Sequence, residues 1–306
     1  VKTLPNFFVV GAARSGTTSL NRYLSQHPEI FITPRKEPHF FAADHFPRNG
    51  PGDEMLNQRV IADEAQYAQL FADVKGAKAV GESSVFYLCF PGTAERIAAV
   101  APNSKIIVLL REPAARAFSA YMLLVRDGRE TLEFVEGLSQ EEERRQTGFE
   151  PMWWYKEAGL YYHQVKRYLD VFGTERVKVV LYDELFTHPE QTLRDVFSFL
   201  EVRPNISINT SGHYNMGGVP KSRGLYTFLY NFAGKAGPLV NKVSPLAKHI
   251  KPALAWKAIG MFLRPVEKDI QIHARLKAYF TEDVGNLEAL LHQDLRHWQT
   301  QEPGIT

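Results

Sequence analysis

Residues 7–20 read FFVVGAARSGTTSL: an apolar run, then Gly11 and Gly16 five positions apart, then a row of hydroxyls. A strand that breaks into a glycine loop and a helix start turns backbone N–H groups and a helix N-terminus toward an anion, and Gly-x-x-x-x-Gly is the spacing of a nucleotide phosphate loop. The position after Gly16 holds Thr17 instead of the usual Lys, and the basic residue is Arg14. A kinase or ATPase needs that Lys on the β/γ-phosphates and a Ser or Thr on Mg²⁺. The exchange therefore points to an anionic nucleotide handled by another route, with Arg14, Ser15, Gly16, Thr17, Thr18 and Ser19 as its cradle.

A second segment, KIIVLLREPAARAFSAYMLL from Lys105 to Leu124, ends a buried-type strand at Arg111 and opens a helix at Pro113. The guanidinium fork of Arg111 suits a phosphate, and Ser119 adds a hydroxyl two turns into the helix. Both lie at the carboxyl end of a strand, where open α/β sheets bind ligands. Taken alone, an Arg after an apolar strand is more often a surface ion pair.

The third segment is TPRKEPHFFA, Thr33 to Ala42. Pro38 biases Glu37 toward an extended conformation, which predicts Glu37 and His39 on one side and Pro38 on the other. A carboxylate and an imidazole on one wall can remove a proton from an alcohol, provided burial raises the carboxylate from its free pKa of about 4.3. The plain alternative is a surface pair of Lys36 and Glu37 with His39 packed in the core.

Arg-Ser-Gly-Thr-Thr with Ser19 behind it resembles the 5′-phosphosulfate loop of sulfotransferases that use 3′-phosphoadenosine 5′-phosphosulfate (PAPS). Arg111, Pro113, Arg116 and Ser119 resemble the 3′-phosphate motif of the same enzymes, in the expected order along the chain. The Glu-x-His-Phe-Phe element at 37–41 resembles the base-bearing segment of heparan sulfate 3-O-sulfotransferases and related bacterial sulfotransferases. The resemblance implies a P-loop-like three-layer α/β fold, with a central parallel sheet flanked by helices and a helical C-terminal region. It implies sulfuryl transfer from PAPS to a hydroxyl, leaving PAP, with no metal required. Arg14 to Ser19 would hold the 5′-phosphosulfate, Arg111 and Ser119 the 3′-phosphate. Glu37 would be the base and His39 a supporting group.

The resemblance weakens at GESSVFYL, residues 81–88, where the 3-O-sulfotransferases carry Lys after the Glu and Pro two positions further on. This chain has Ser83 and Val85. Cationic charge at the sulfuryl group is therefore expected mainly from Arg14. Glu82 is a second candidate base, and Tyr87 lines either the acceptor pocket or the core. Lys221 and Arg223, in the Gly-rich run from His213 to Tyr226, form either a loop closing over the cofactor phosphates or an exposed basic turn. Trp153 and Trp154 are candidates for a sugar-stacking wall, although burial is the commoner fate of Trp, and Tyr161 or Tyr162 for the acceptor cleft.

These residues need a scaffold that brings strand ends together. Strand-like runs at Phe7 to Val10, Ala79 to Gly81, Lys105 to Leu110 and Val177 to Leu181 alternate with helical stretches at Thr17 to Ser25, Ala94 to Val100, Ala114 to Arg126 and Tyr161 to Phe172. That alternation predicts parallel strands with crossover helices. Asn49 to Met55 reads as a surface loop, Leu138 to Gln146 as a solvated charged helix or loop, and about His273 to Trp298 as one last helix. Residues 225–265, rich in aromatics and Lys, read as helices packed on the core or as an amphipathic stretch that covers an acceptor or faces a membrane.

The 306 residues suit a single sulfotransferase domain spanning 1–306, and a formal net charge of +2 provides no global field for nucleic acid. The one cysteine, Cys89, leaves no disulfide or Cys-rich zinc site. With no run of roughly 20 apolar residues, a cytoplasmic location is expected. The first residue is not Met, so a longer natural protein with an anchor or further domain is also within expectation. The acceptor is expected to be a carbohydrate or glycolipid hydroxyl first, and a lipid or polyketide-type alcohol second. A phosphotransferase with an altered loop and a non-catalytic nucleotide-binding module are the readings from other classes.

Overall fold

The computed structural model describes residues 4–211, 219–220, 263–264 and 269–299. Five parallel strands form the central sheet: β1 (Phe7–Gly11), β2 (Ile30–Ile32), β3 (Ala79–Ser83), β4 (Lys105–Leu110) and β5 (Val177–Leu181), in the order β2-β3-β1-β4-β5. The helices are α1 (Thr17–Leu24), α2 (Glu54–Asn57), α3 (Glu64–Gln69), α4 (Thr93–Val100), α5 (Pro113–Arg126), α6 (Phe134–Ser139), α7 (Glu141–Gln146), α8 (Tyr161–Phe172), α9 (Tyr182–Thr187), α10 (Pro189–Phe199), α11 (Ile270–Leu291) and α12 (Arg296–Gln299). A two-residue pair, β6 (Val219–Pro220) with β7 (Leu263–Arg264), is antiparallel.

Strands covered on both faces read as unbroken apolar runs, and alternate residues serve the two cores. Phe8, Val10, Ile106, Val108 and Leu110 pack with α5, α8 and α11, while Phe7, Val9, Ile107 and Leu109 pack with α1 and α10. The result is the expected helix–sheet–helix sandwich. In α11, Leu276, Phe280, Val284 and Leu287 recur at helical spacing on the buried side.

Four strands and the helices between them match the sequence reading to within a residue or two, and four departures are physical. The edge strand β2 is a three-residue apolar run between Pro28 and Pro34, too short for a periodic pattern, and its pairing with β3 defines it. The last helix is two: His292 takes a left-handed conformation (φ 52°) that ends α11, and α12 restarts at Arg296. The loop around Asn49–Met55 is not wholly at the surface, because buried Asp53 accepts from the N–H groups of Gly50 and Glu150 and pairs with Arg129. Likewise the charged run ending at Gln146 forms α6 and α7 and sinks Glu141, whose carboxylate accepts from the N–H groups of Lys156 and Glu157. No helix among the described residues is long and apolar enough to cross a membrane.

Candidate active site

Each strand of the sheet hands its carboxyl end to one piece of the site. Beyond β1 comes the glycine loop, beyond β2 Lys36 to His39, beyond β3 Ser84 and Val85, beyond β4 Arg111, and beyond β5 Tyr182. From β1 the chain builds β2 and β3 on one side and then crosses to β4 and β5 on the other, and such a reversal opens a crevice at the strand ends.

Gly16 caps α1 in the left-handed region (φ 92°). A Cβ there would stand 3.0 Å from Phe186 Cε2 and 3.3 Å from Tyr182 Cδ2, so conformation and space both require glycine. Ser15 is buried and its N–H donates to the carbonyl of Ala12 (3.2 Å), which tightens the turn; Ser19 is buried in the first turn of α1. The N–H groups of Gly16, Thr17 and Thr18 donate to no acceptor among the described residues. They are the orphan donors of a helix start, aimed where an anion is favoured.

Arg14, half-buried and itself left-handed (φ 70°), donates from Nε to Ser119 Oγ at 3.1 Å. Burial first, then repulsion from Arg126 and Arg111, lowers its pKa to about 10, so it stays cationic at neutral pH. The Arg111 guanidinium lies over the Tyr182 ring, 4.5 Å from its centroid. Loop, Tyr182 and Arg111 thus stack in sequence, and the bond from Arg14 to Ser119 ties the glycine loop to α5. Orphan N–H donors at one end and a second guanidinium at the other fit a nucleotide carrying a phosphosulfate and a separate phosphate.

Glu37 and His39 do share a wall, but not by the extended path expected of a residue before proline. Both take left-handed conformations (φ 60° and 48°), and the intervening turn brings His39 Nε2 to 3.3 Å from Glu37 Oε2. Glu37 Oε2 accepts from the Val85 N–H (3.0 Å), and its own N–H donates to the carbonyl of Ser83 (3.0 Å). The carboxylate is therefore fixed by the segment after β3. Burial pushes the His39 imidazole down to about 4, leaving it neutral at physiological pH despite the neighbouring carboxylate. It is stacked on Phe86, with ring centroids 5.3 Å apart.

Glu37 and His39 line a cavity of about 320 Å³, together with Arg59, Val85, Arg126 and Met152. Lys36 joins this wall to the glycine loop: its Nζ donates to Thr18 Oγ1 at 3.1 Å and lies 3.7 Å from Glu37 Oε1.

Glu82 is fully buried and does not line the cavity. It accepts from Tyr87 (2.7 Å), Ser84 (2.8 Å) and Tyr67 (3.1 Å), and burial pushes its pKa up to about 7. Ser84 Oγ and the Tyr87 hydroxyl accept in turn from the N–H groups of His39 and Phe41. Glu82 and Tyr87 thereby brace the turn after Glu37 from behind.

The remaining sequence candidates lie elsewhere. Trp153 is 1 % exposed, enclosed by the guanidinium groups of Arg144 and Arg129, and offers no ring face to a sugar. Trp154 is half-buried against Phe90. Tyr161 is buried and donates to the carbonyl of Arg111 (3.0 Å), supporting that residue's backbone instead of facing the cleft. Arg116 is buried in the core and donates to the carbonyls of Trp154 and Tyr155. Lys221, Arg223 and, apart from β7, residues 225–265 lie outside the described residues. Two neighbours of the site went unmarked in sequence. Arg126 follows Ser119 by seven positions, two helical turns on the same face, a spacing that would have found it. Tyr182 opens α9 after β5, and only the sheet order brings it against the loop.

A model described as the Sulfotransferase family matches residues 5–205. The heparan sulfate glucosamine 3-O-sulfotransferase 5 of Homo sapiens is 27% identical over 257 residues, covering 80% of this chain and 67% of that protein. The membrane-associated sulfotransferase kil1 of Dictyostelium discoideum is 36% identical over 118 residues, covering 39% of this chain and only 22% of its own length. Among solved structures, a sulfotransferase from Alicyclobacillus acidocaldarius superposes with a TM-score of 0.78 at 44% identity, covering 97% of this chain and 100% of that one. The match extends the likeness seen in the loop and strand-end residues to the whole sheet, and the chain belongs to the sulfotransferase family, whose enzymes take their sulfuryl group from PAPS.

Proposed function

We propose that the chain sulfates an alcohol with Glu37 as the base, with Arg14–Ser19 at the 5′-phosphosulfate and Arg111 and Ser119 at the 3′-phosphate. The observation that carries this reading is the position of Glu37: its carboxylate opens on the cavity and is joined through Lys36 to the glycine loop. PAPS supplies a sulfuryl group whose bond to the phosphate oxygen breaks, electron pair remaining on PAP, as the acceptor oxygen bonds to sulfur. Glu37 takes the proton of the acceptor hydroxyl. Arg14 and the N–H groups of the loop meet the charge that grows on the departing phosphate, an electrostatic role suited to fixed donors in a partly buried site. His39, neutral and packed, holds the wall on which Glu37 sits.

A carbohydrate hydroxyl is the first acceptor class, supported by the Glu-x-His-Phe-Phe element and by likeness to a protein named for heparan sulfate glucosamine. One observation favours a second class. The cavity beside Glu37 is walled on one side by Met55, Leu56, Val85, Phe86, Leu123 and Met152, beside the charged Arg59, Arg126, Asp127, Arg129 and Glu150, and its apolar side suits the body of a lipid or polyketide-type alcohol.

The test is calorimetric binding of PAP against ADP, with and without Mg²⁺, followed by a screen of sugar and lipid alcohols for PAP release from PAPS. Metal-independent binding that requires the 3′-phosphate, and that falls at least about tenfold in Arg111→Ala, is expected. Preference for ADP with Mg²⁺ would overturn the reading.

A further inference from the structure

Lys36 sits beside Glu37 in the chain, and such a neighbour is ordinarily a weak, solvated surface pair. Here its stem turns away from water. The side chain is 28% exposed, and Nζ donates to Thr18 Oγ1, on a segment that follows a different strand. Ordering a four-carbon stem costs rotamer entropy, so the placement needs more than the adjacent carboxylate to favour it. Thr18 is in the first turn of α1, next to the orphan N–H groups of the loop. Glu37 Oε1, 3.7 Å from the ammonium, belongs to the cavity wall. Lys36 therefore stands on the seam between the anion loop and the proposed acceptor.

A sulfuryl group in transfer crosses that seam. It starts on a phosphate held by the loop and ends on an oxygen next to Glu37, and its peripheral oxygens carry negative charge throughout. A cation useful across the whole path must lie between the two ends, and Arg14, tied to Ser119, is anchored on the loop side. On the reading of the site given above, we propose that Lys36 is the second cation of the reaction and binds the sulfuryl oxygens directly. It supplies a cation that this chain lacks at Ser83, where heparan sulfate 3-O-sulfotransferases carry Lys. The bond from the acceptor oxygen to sulfur forms, the bond from sulfur to the PAP oxygen breaks with its electron pair on phosphate, and the acceptor proton passes to Glu37. Lys36 takes no part in the proton transfer, and its three rotatable donors can follow the sulfuryl oxygens while the sulfur shifts.

The test separates the sulfuryl group from the rest of the nucleotide. PAPS and PAP differ only in that group, so their dissociation constants are measured calorimetrically for the wild type, Lys36→Gln and Lys36→Arg, with thermal unfolding as a check that each variant is folded. Lys36→Gln is expected to weaken PAPS about tenfold and PAP by no more than about twofold, and Lys36→Arg to recover most of the loss. Equal weakening of both nucleotides would make Lys36 a phosphate or loop-positioning residue, and no weakening of either would make it a surface pair. Each of those results overturns the proposal while leaving the sulfotransfer reading intact. A wild type that binds neither nucleotide overturns both.

Discussion

Arg14 Nε donates to Ser119 Oγ across 3.1 Å, joining the loop after β1 to the second turn of the helix after β4. The bond holds a left-handed Arg against α5 and makes the glycine loop and that helix one unit. Replacing Arg14 by Ala is expected to cut the rate of PAP formation about 10²- to 10³-fold, the range for losing a fixed donor to developing charge. Ser119→Ala, which frees the guanidinium without removing it, is expected to cost about fivefold. Initial rates at saturating PAPS check both; near-normal turnover in Arg14→Ala would remove it from the chemistry.

Glu37→Gln keeps an acceptor for the Val85 N–H but cannot take up a proton. A loss of about 10²- to 10⁴-fold in kcat is expected, with PAP affinity unchanged within about twofold. Rapid-quench measurement of a single turnover isolates this step, and full activity would return the role of base to another group.

His39 gives a pH signature of known sign. Burial holds its folded pKa near 4, against an ordinary value of about 6.5. The unfolded chain therefore binds the extra proton between those limits, and the stability contributed by neutral His39 is complete above about pH 6.5 and lost as pH falls toward 4. The loss is on the order of 3 kcal/mol. Urea unfolding at pH 7 and at pH 4.5 should show this slope in the wild type and a shallower one in His39→Gln. An imidazole resonance of His39 that titrates near 6.5 in ¹⁵N NMR would contradict it.

Gly16→Ala puts a Cβ at φ 92° and against Phe186 and Tyr182. A cost of about 1–2 kcal/mol in unfolding free energy is expected from the backbone alone, with weaker PAP binding because the first turn of α1 must shift. Denaturant titration and calorimetry read the two effects separately. A variant as stable as the wild type would mean that the loop tolerates another path.

The sequence alone determined the features that are local. Apolar runs with nothing polar inside had to be strands covered on both faces, because only a sandwiched parallel sheet hides every side chain. The Gly-x-x-x-x-Gly break was legible as an anion loop, and Arg111 and Ser119 as its partners only through the resemblance of their spacing to a 3′-phosphate motif, since an Arg after an apolar strand reads by itself as a surface ion pair. Glu37 was legible as a carboxylate next to an imidazole, although the left-handed turn that joins them was not, since proline's bias on Glu37 is outweighed by the bonds to Ser83 and Val85. What depends on strand order belonged to the tertiary structure. Lys36 meets Thr18 because β2 and β1 flank β3 in the sheet. Tyr182 meets Gly16 because β5 closes the far edge. Trp153, Tyr161 and Glu82 lie in the interior because packing, not residue type, decides which aromatic and acidic groups face a cleft. Residue chemistry names the groups a site can use, and only the order in which the strands lie side by side decides which of them meet.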